Sequence, residues 1–281
     1  MCSVALSVVT YNANIRLLAE TLDLCKSLGF TVYLFDNGSK NYSQLIRTTK
    51  SYSNVIILTT KKNMGIAYAL NEIFKLGIKK YDWIITLDQD SKITKDFLCD
   101  YLKYLKKFNK QTDVALLCPR IVDRSVNKVI FGSSLEFEKI NDAENVITSG
   151  SCIKASCWEK IGGFYNDLFI DFVDTDFQER LLLSNYKIIR CNKIVLSHKI
   201  GNAWDFRIGP FVIRCSNHSS FRRYFMVRNR LYFYKKYRST LEFYKAWIRL
   251  AFGTLKICLF EKEKIAKTKA FFKGWKDYRN L

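Results

Sequence analysis

The chain has 281 residues, 48% of them hydrophobic and 15% aromatic, enough for a substantial core in one or two domains. Two prolines and 12 glycines exclude a fibrous or disordered chain. The net charge is +20, of which +14 falls on residues 201–281 and +6 on residues 1–200, a field that attracts nucleic acid, anionic lipid or a polyanionic substrate.

In chain order, "VALSVVT" (4–10) reads as a buried strand. Ile15 to Ser27 follows as a helix, with Leu17, Leu18, Leu22, Cys25 and Leu28 at helical spacing. "TVYLFDNGS" is a second strand ending at Asp36 and a turn, and "NVIILTT" a third. "GIAYALNEIFKLGI" is a helix with Ala67, Leu70, Ile73 and Phe74 on one face. "DWIITLDQD" is a fourth strand, "TKDFLCDYLKYLKKF" a helix that Thr94 is suited to cap, and "VALLCPRIV" a fifth strand. Such alternation predicts an α/β fold with a mostly parallel, helix-covered sheet, in which ligands bind beyond the carboxyl ends of the strands.

Polar clusters fall at three of those ends: Thr10, Tyr11 and Asn12; Asp36, Asn37 and Gly38; Asp88 and Asp90. No G-x-G-x-x-G follows the first strand and no G-x-x-x-x-G-K-[ST] occurs, which argues against a dinucleotide oxidoreductase and a P-loop phosphotransferase. Nine cysteines without a C-x-x-C pair predict reduced, buried thiols in a cytosolic protein. The opening residues lack the basic region of a signal peptide.

Asp88 and Asp90 stand one residue apart. Residues i and i+2 of a strand face the same way, so both carboxylates can reach one hard cation, Mg²⁺ or Mn²⁺; a solvated turn is the plain alternative. In "LFIDFVDTDFQER" (168–180), Asp171, Asp174 and Asp176 exceed what capping one helix needs. A carboxylate here can serve as general base toward a hydroxyl. His198 ends the apolar run "KIVLSH" and is a candidate for metal or phosphate contact.

"SSFRRYFMVRNRLYFYKKY" (219–237) interleaves arginine with aromatics. Arg222, Arg223, Arg228 and Arg230 can grip phosphates, the aromatics can stack bases or sugars, and an amphipathic helix with a basic outer face is the plain reading. In "EFYKAWIRLAFGTLKICLF" (242–260), Glu242, Lys245, Arg249 and Lys256 lie near one line of a helix whose remainder is apolar. Its charges make it a poor spanning helix; it suits a membrane surface, the protein's own core or another subunit.

The ordered set "VVTYN", "DNGS", "NMGIAYALN", "LDQDS", "TSGSCI", "IGGF", "LFIDFVDTDFQER" and "SHKIG" resembles the family 2 glycosyltransferases of the GT-A fold, over roughly residues 3–201. "RRYFMVRNRLYF" and "FFKGWKDY" resemble the rhamnosyltransferase subgroup that builds bacterial O-antigen or capsule polysaccharide. The resemblance implies a Rossmann-like GT-A catalytic domain at 1–201, with a nucleotide-sugar half at about 1–92 and an acceptor half at about 93–201. Residues 202–281 would form a helical region that associates with membrane or dimerises.

It implies that Thr10, Tyr11, Asn12, Asp36, Asn63, Gly65 and Asp88 bind the nucleotide-sugar, and that Asp90, with His198, binds Mg²⁺ or Mn²⁺. Asp174 would be the catalytic base. Ser149 and Gly150 would border the acceptor pocket, with Asp171, Arg222 and Arg223 also on the acceptor side. Many members carry Glu-Asp where this chain has Val173-Asp174, and the Gln-x-x-Arg-Trp motif of processive synthases is absent, so single-sugar transfer is expected.

The implied activity is inverting, metal-dependent transfer of L-rhamnose from dTDP-L-rhamnose to a lipid-diphosphate-linked or oligosaccharide acceptor, at the cytoplasmic face of the cell membrane. UDP-galactose, UDP-galactofuranose or another UDP-hexose is the alternative donor. A non-enzymatic nucleic-acid-binding protein is the distant alternative, which the acidic strand ends oppose.

Overall fold

The computed structural model describes residues 2–124, 128–198, 204–208, 211–215 and 217–281, with residue 198 and the strands 204–208 and 211–215 described by backbone alone. Two compact units emerge, Met1–Asn166 with Asp174–Lys199, and Asp167–Val173 with Ile200–Leu281.

The first unit is built on a nine-stranded sheet. Its strands are β1 (Val4–Thr10), β2 (Val32–Asp36), β3 (Val55–Thr59), β4 (Trp83–Asp88), β5 (Val114–Asp123), β6 (Lys128–Phe131), β7 (Phe137–Ile140), β8 (Cys152–Lys154) and β9 (Lys187–His198). The order is β3-β2-β1-β4-β8-β5-β9-β7, with β6 on β5. β1 pairs in parallel with both β2 and β4, as does β2 with β3 and β5 with β9. The expected parallel sheet is present, but β8 enters antiparallel between β4 and β5, and β6 and β7 are also antiparallel. β8 has three residues and no alternating pattern long enough to read from sequence.

Successive connections run from β1 outward to β2 and β3, then return to the other flank of β1 for β4. The sheet therefore reverses direction between β1 and β4, and such a switch point opens a crevice at the strand ends. The central strands are buried along their length, which is why they read as unbroken apolar runs rather than alternating ones.

Helices α1 (Ile15–Ser27), α2 (Tyr42–Thr49), α3 (Ile66–Gly77), α4 (Lys95–Phe108), α5 (Ala155–Ile161) and α6 (Val173–Leu183) belong mainly to this unit. Asn14 caps α1 through Arg16 N and Leu17 N, and Thr94 caps α4 through Phe97 N. Leu18, Leu22, Tyr101 and Leu105 carry the inner faces of α1 and α4 into one core with Leu6, Val8, Ile85 and Leu117. Each such side chain contributes about 1.5–3 kcal/mol on burial.

The second unit holds the hairpin β10 (Trp204–Ile208) and β11 (Phe211–Cys215), then α7 (Ser220–Tyr237), α8 (Thr240–Phe260) and α9 (Lys264–Asp277). Ser239 and Glu242 form a reciprocal capping box at the start of α8. Lys267 and Glu261 make a buried ion pair of 3.0 Å, with Asn217 accepting a further bond from Lys267 at 2.9 Å.

Phe169, Asp171 and Phe172 have φ of +61°, +63° and +64°, costly for side chains of this size. The fully buried Asn229 holds this strap, its amide donating to the carbonyls of Leu168, Ile170 and Asp171 at 2.7, 2.8 and 2.8 Å. The Phe169 ring stacks on Phe225 at 4.9 Å.

Candidate functional site

At the switch point, β1 ends at Thr10 beside Asp36 of β2, and Val9 lies opposite Asp88 of β4. The sequence-predicted clusters of three different strands thus converge on one edge. Thr10 is fully buried and its hydroxyl donates to Phe35 O (3.2 Å) and Asp36 Oδ1 (3.5 Å). Asp36, 1% exposed, also accepts from Ser39 N (3.1 Å) and the Thr59 hydroxyl (3.4 Å).

Asn12 takes a left-handed conformation (φ +52°), which a short amide side chain tolerates. It accepts from Lys40 N through Oδ1 at 2.8 Å, while its own N–H donates to the Ser39 hydroxyl at 2.8 Å. The loop after β1 is thereby tied to the loop after β2. Gly38 (φ +77°) is required there, since a Cβ would lie 2.6 Å from the Lys62 carbonyl carbon.

Asn37 continues the frame toward α3, donating to Gly65 O (3.1 Å) and accepting from Met64 N (2.8 Å). Asn63 accepts from Gly65 N at 2.9 Å. Asn63 and Gly65 are therefore joined to the Asp36 turn as a single rim, and Tyr11, 46% exposed, stands beside it.

Asp88 is the last residue of β4, half-buried; Asp90 lies beyond it in a turn and is exposed. The alternation argument for two carboxylates on one strand face stops at Asp88, because Ser91 N donates to Asp88 O and folds the chain. Between them, Gln89 binds the Tyr11 peptide twice, accepting from its N–H at 2.7 Å and donating to its carbonyl at 3.3 Å.

Ser91 is buried, accepts from Asp88 N at 3.1 Å and shares a hydrogen bond of 2.6 Å with the buried Ser149. Thr148 N, next to Ser149, donates to Asp174 Oδ2 at 3.0 Å. The main chain at Asp88 is thus tied through Ser91 to Ser149, whose neighbour Thr148 holds Asp174, a connection that sequence alone did not show. Gly150 (φ +83°) lies against Pro119 and Leu196, and its N–H donates to Thr86 O at 2.7 Å.

Asp174 sits in the first turn of α6, and its Oδ1 accepts from Thr175 N at 2.9 Å. The carboxyl is enclosed by protein even though the residue keeps some exposure, and desolvation raises its pKa despite the backbone donors that lower it. Its two neighbouring acids are committed elsewhere. Asp176, 1% exposed, pairs with Arg180 at 2.8 Å, and Arg180 donates to the carbonyls of Ile161, the last residue of α5, and Gly163 just after it. Asp171 receives both Nε and Nη2 of Arg222, at 3.2 and 2.9 Å.

Arg223 is buried in the second unit, donating to Leu250 O (3.1 Å) and the Thr254 hydroxyl (2.8 Å) of α8. It fastens two helices, and Arg222 is engaged by the strap. Both were expected on the acceptor side. His198 is the final residue of β9, opposite Asp123. Lys92 bridges Ser197, bringing that strand end beside the turn after β4; the His198 side chain lies outside the described residues.

Among the described residues, no group of three or more Asp, Glu, His or Cys side chains forms a metal cage. Asp88 and Asp90 supply carboxylate oxygens, the donor type that a hard cation takes when substrate phosphates and water complete its shell. Sequence reading missed Gln89, Ser91 and Ser39. Gln89 and Ser91 lie within "DQDS", and polar side chains beside strand-end acids were the available signal.

A family model, glycosyl transferase family 2, matches residues 6–155. The dTDP-rhamnosyl transferase RfbF of Shigella flexneri is 28% identical over 236 residues, covering 79% of this chain and 76% of its own. Among solved structures, the mannosyltransferase PcManGT from Pyrobaculum calidifontis, in complex with GDP-Man and Mn²⁺, aligns with a TM-score of 0.60 at 12% identity, over 99% of this chain and 87% of that one. S. aureus TarS 1–349 in complex with UDP-GlcNAc aligns with a TM-score of 0.58 at 15% identity, over 98% and 80%. The matched span begins in β1 and includes every strand end of the crevice except that of β9, and on this ground the chain belongs to glycosyl transferase family 2, as a GT-A-fold glycosyltransferase resembling rhamnosyltransferases.

Proposed function

We propose that the protein transfers a single L-rhamnose from dTDP-L-rhamnose to a hydroxyl of a lipid-diphosphate-linked or oligosaccharide acceptor, inverting the anomeric centre. The donor assignment is supported by the 28% identical dTDP-rhamnosyl transferase. The observation that carries the reaction type is the enclosed Asp174 carboxylate, held by Thr148 N and Thr175 N in a segment tied through Ser149 and Ser91 to the end of β4.

In this reading, Thr10, Tyr11, Asn12 and Asp36 cradle the nucleoside, with Asn63 and Gly65 along the ribose side. Asp88 meets the sugar-nucleotide, and Asp90, with His198, holds Mg²⁺ or Mn²⁺. When bound, the cation neutralises charge on the diphosphate leaving group. Asp174 accepts the proton of the acceptor hydroxyl as that oxygen forms its bond to the anomeric carbon; the anomeric C–O bond breaks and its electron pair leaves on the diphosphate. A raised pKa makes Asp174 a stronger base than an ordinary carboxylate. The bonds from Thr148 N and Thr175 N orient it. Ser149 and Gly150 shape the wall beside it on the acceptor side.

The test is thermal stabilisation by dTDP-rhamnose, UDP-galactose and UDP-GlcNAc, each with and without Mn²⁺. At a donor concentration of a hundred times Kd the gain is about 2.7 kcal/mol, or roughly 5 °C for a chain of this size. A Mn²⁺-dependent shift with dTDP-rhamnose alone supports the reading; a shift with a UDP-sugar in its place overturns the donor.

A further inference from the structure

Helix α8 has two apolar faces. Ala246, Leu250, Thr254 and Ile257 are buried within the second unit. On the opposite side Leu241, Tyr244, Ile248, Phe252, Leu255 and Leu259 are 46–68% exposed. At 3.6 residues per turn these six fall within about 80° of arc, a continuous stripe along the helix. Isolated exposed apolar residues need no explanation, but a contiguous stripe of six does. Ile265 and Phe272 of α9 are exposed as well, at 75% and 55%.

The two borders of the stripe differ. Along one run Lys245, Arg249 and Lys256. Along the other lies a cleft of about 440 Å³, lined by Lys235, Arg238 and Arg279 together with Tyr244, Trp247 and Trp275. Tyr244 belongs to both stripe and cleft. Cations and amphipathic aromatics around an apolar band are what an interface between hydrocarbon and anionic headgroups selects.

We propose that this face of the second unit docks on an anionic phospholipid bilayer, with α8 in the plane of the surface, its stripe below the headgroups and the basic-aromatic cleft taking a lipid phosphate. Charge complementarity decides the occupant. Residues 201–281 carry +14, so a second copy of the surface would bring like charge to a rim already basic, whereas an anionic leaflet supplies both opposite charge and an apolar layer. No helix among the described residues is long and apolar enough to cross a membrane, which agrees with an in-plane helix.

The test is sedimentation of the full chain with phosphatidylcholine vesicles and with vesicles of phosphatidylcholine and phosphatidylglycerol in equal parts. Binding at least tenfold tighter to the anionic vesicles, weakened by salt, is expected, with tryptophan fluorescence quenched by brominated lipid. Phe252→Ser/Leu255→Ser should lower binding at least tenfold without changing circular dichroism or Tm, and Lys235→Ala/Arg279→Ala should reduce the preference for anionic lipid severalfold.

Binding indifferent to lipid charge, or untouched by the stripe variant, overturns the proposal. So does a dimer that ignores vesicles and that the stripe variant dissociates, which would assign the face to a second copy. The proposal does not depend on the donor: a stripe variant that loses vesicles keeps its donor-induced thermal shift, whereas a failed transferase reading leaves vesicle binding intact.

Discussion

The side-chain amide of Gln89 grips the peptide of Tyr11 from both ends, at 2.7 Å to its N–H and 3.3 Å to its carbonyl. Seventy-eight residues apart in sequence, the two form a clasp across the point where the sheet reverses. Gln89→Ala should raise the donor KM several-fold with a smaller change in kcat. It should cost about 1–2 kcal/mol of stability, since each partly exposed hydrogen bond contributes about 0.5–1.5 kcal/mol. Steady-state kinetics beside urea denaturation checks both, and an unchanged KM would separate the clasp from donor binding.

Asp174→Asn should reduce transfer at least a hundredfold in a protein that remains folded, as removal of a general base does. The wild-type acid limb of kcat/KM should lie above the ordinary carboxylate value of 3.8, because burial raises the pKa of this group. The base is active only when ionised, so activity falls as pH drops through that raised pKa. The linked effect on stability has the opposite sense: the contribution of Asp174 is fully present below its unfolded pKa and is lost as pH rises through the folded one. A rate profile with its acid limb at 3.8 would assign the base to another residue.

Asp90→Ala should abolish the Mn²⁺-dependent part of donor stabilisation while leaving the apo-protein Tm within about 1 °C, since exposed substitutions usually lie within ±0.5 kcal/mol. Chelation of the wild type should reproduce the loss, and added Mn²⁺ should reverse it only in the wild type. Metal-dependent stabilisation that survives in Asp90→Ala would remove this residue from the metal site.

Gly38→Ala should destabilise by about 2 kcal/mol or more, from the left-handed conformation and from a Cβ 2.6 Å from the Lys62 backbone. The same substitution should weaken donor binding, since Gly38 follows Asp36 and Asn37 in the rim. Thermal shift with and without donor separates the two effects.

Asn229→Ala should cost about 2–4 kcal/mol, because it strands the buried carbonyl of Leu168 and the part-buried ones of Ile170 and Asp171, at about 1–3 kcal/mol for an unsatisfied buried group. Faster hydrogen exchange confined to this strap and α7 is the expected signature. Global loosening of the first unit would contradict it.

The strands between residues 4 and 122 were readable, because buried parallel strands carry unbroken hydrophobic sequence, whereas the eight-residue α2, with only Leu45 and Thr49 buried, was not read as a helix. The strand-end polar clusters were readable too, since a soluble sheet has little other reason to place Asp36 or Asp88 after such runs. β8 was not, because three residues carry no period, and its antiparallel insertion depends on neighbours far away in sequence. Among the acids of 168–180 the sequence offered three similar carboxylates. Only packing separated the one whose oxygens meet backbone donors from the two engaged by Arg180 and Arg222.

Local period and composition were enough for the α/β class, for the first five strands with α1, α3 and α4 between them, and for the residue types at those strand ends, since these are local properties of the chain. Tertiary structure decided which of those ends meet. The clasp of Gln89 on Tyr11, the pairing of Ser91 with Ser149 and the choice of which apolar face of α8 is covered arise from contacts across the fold, and no local pattern encodes them.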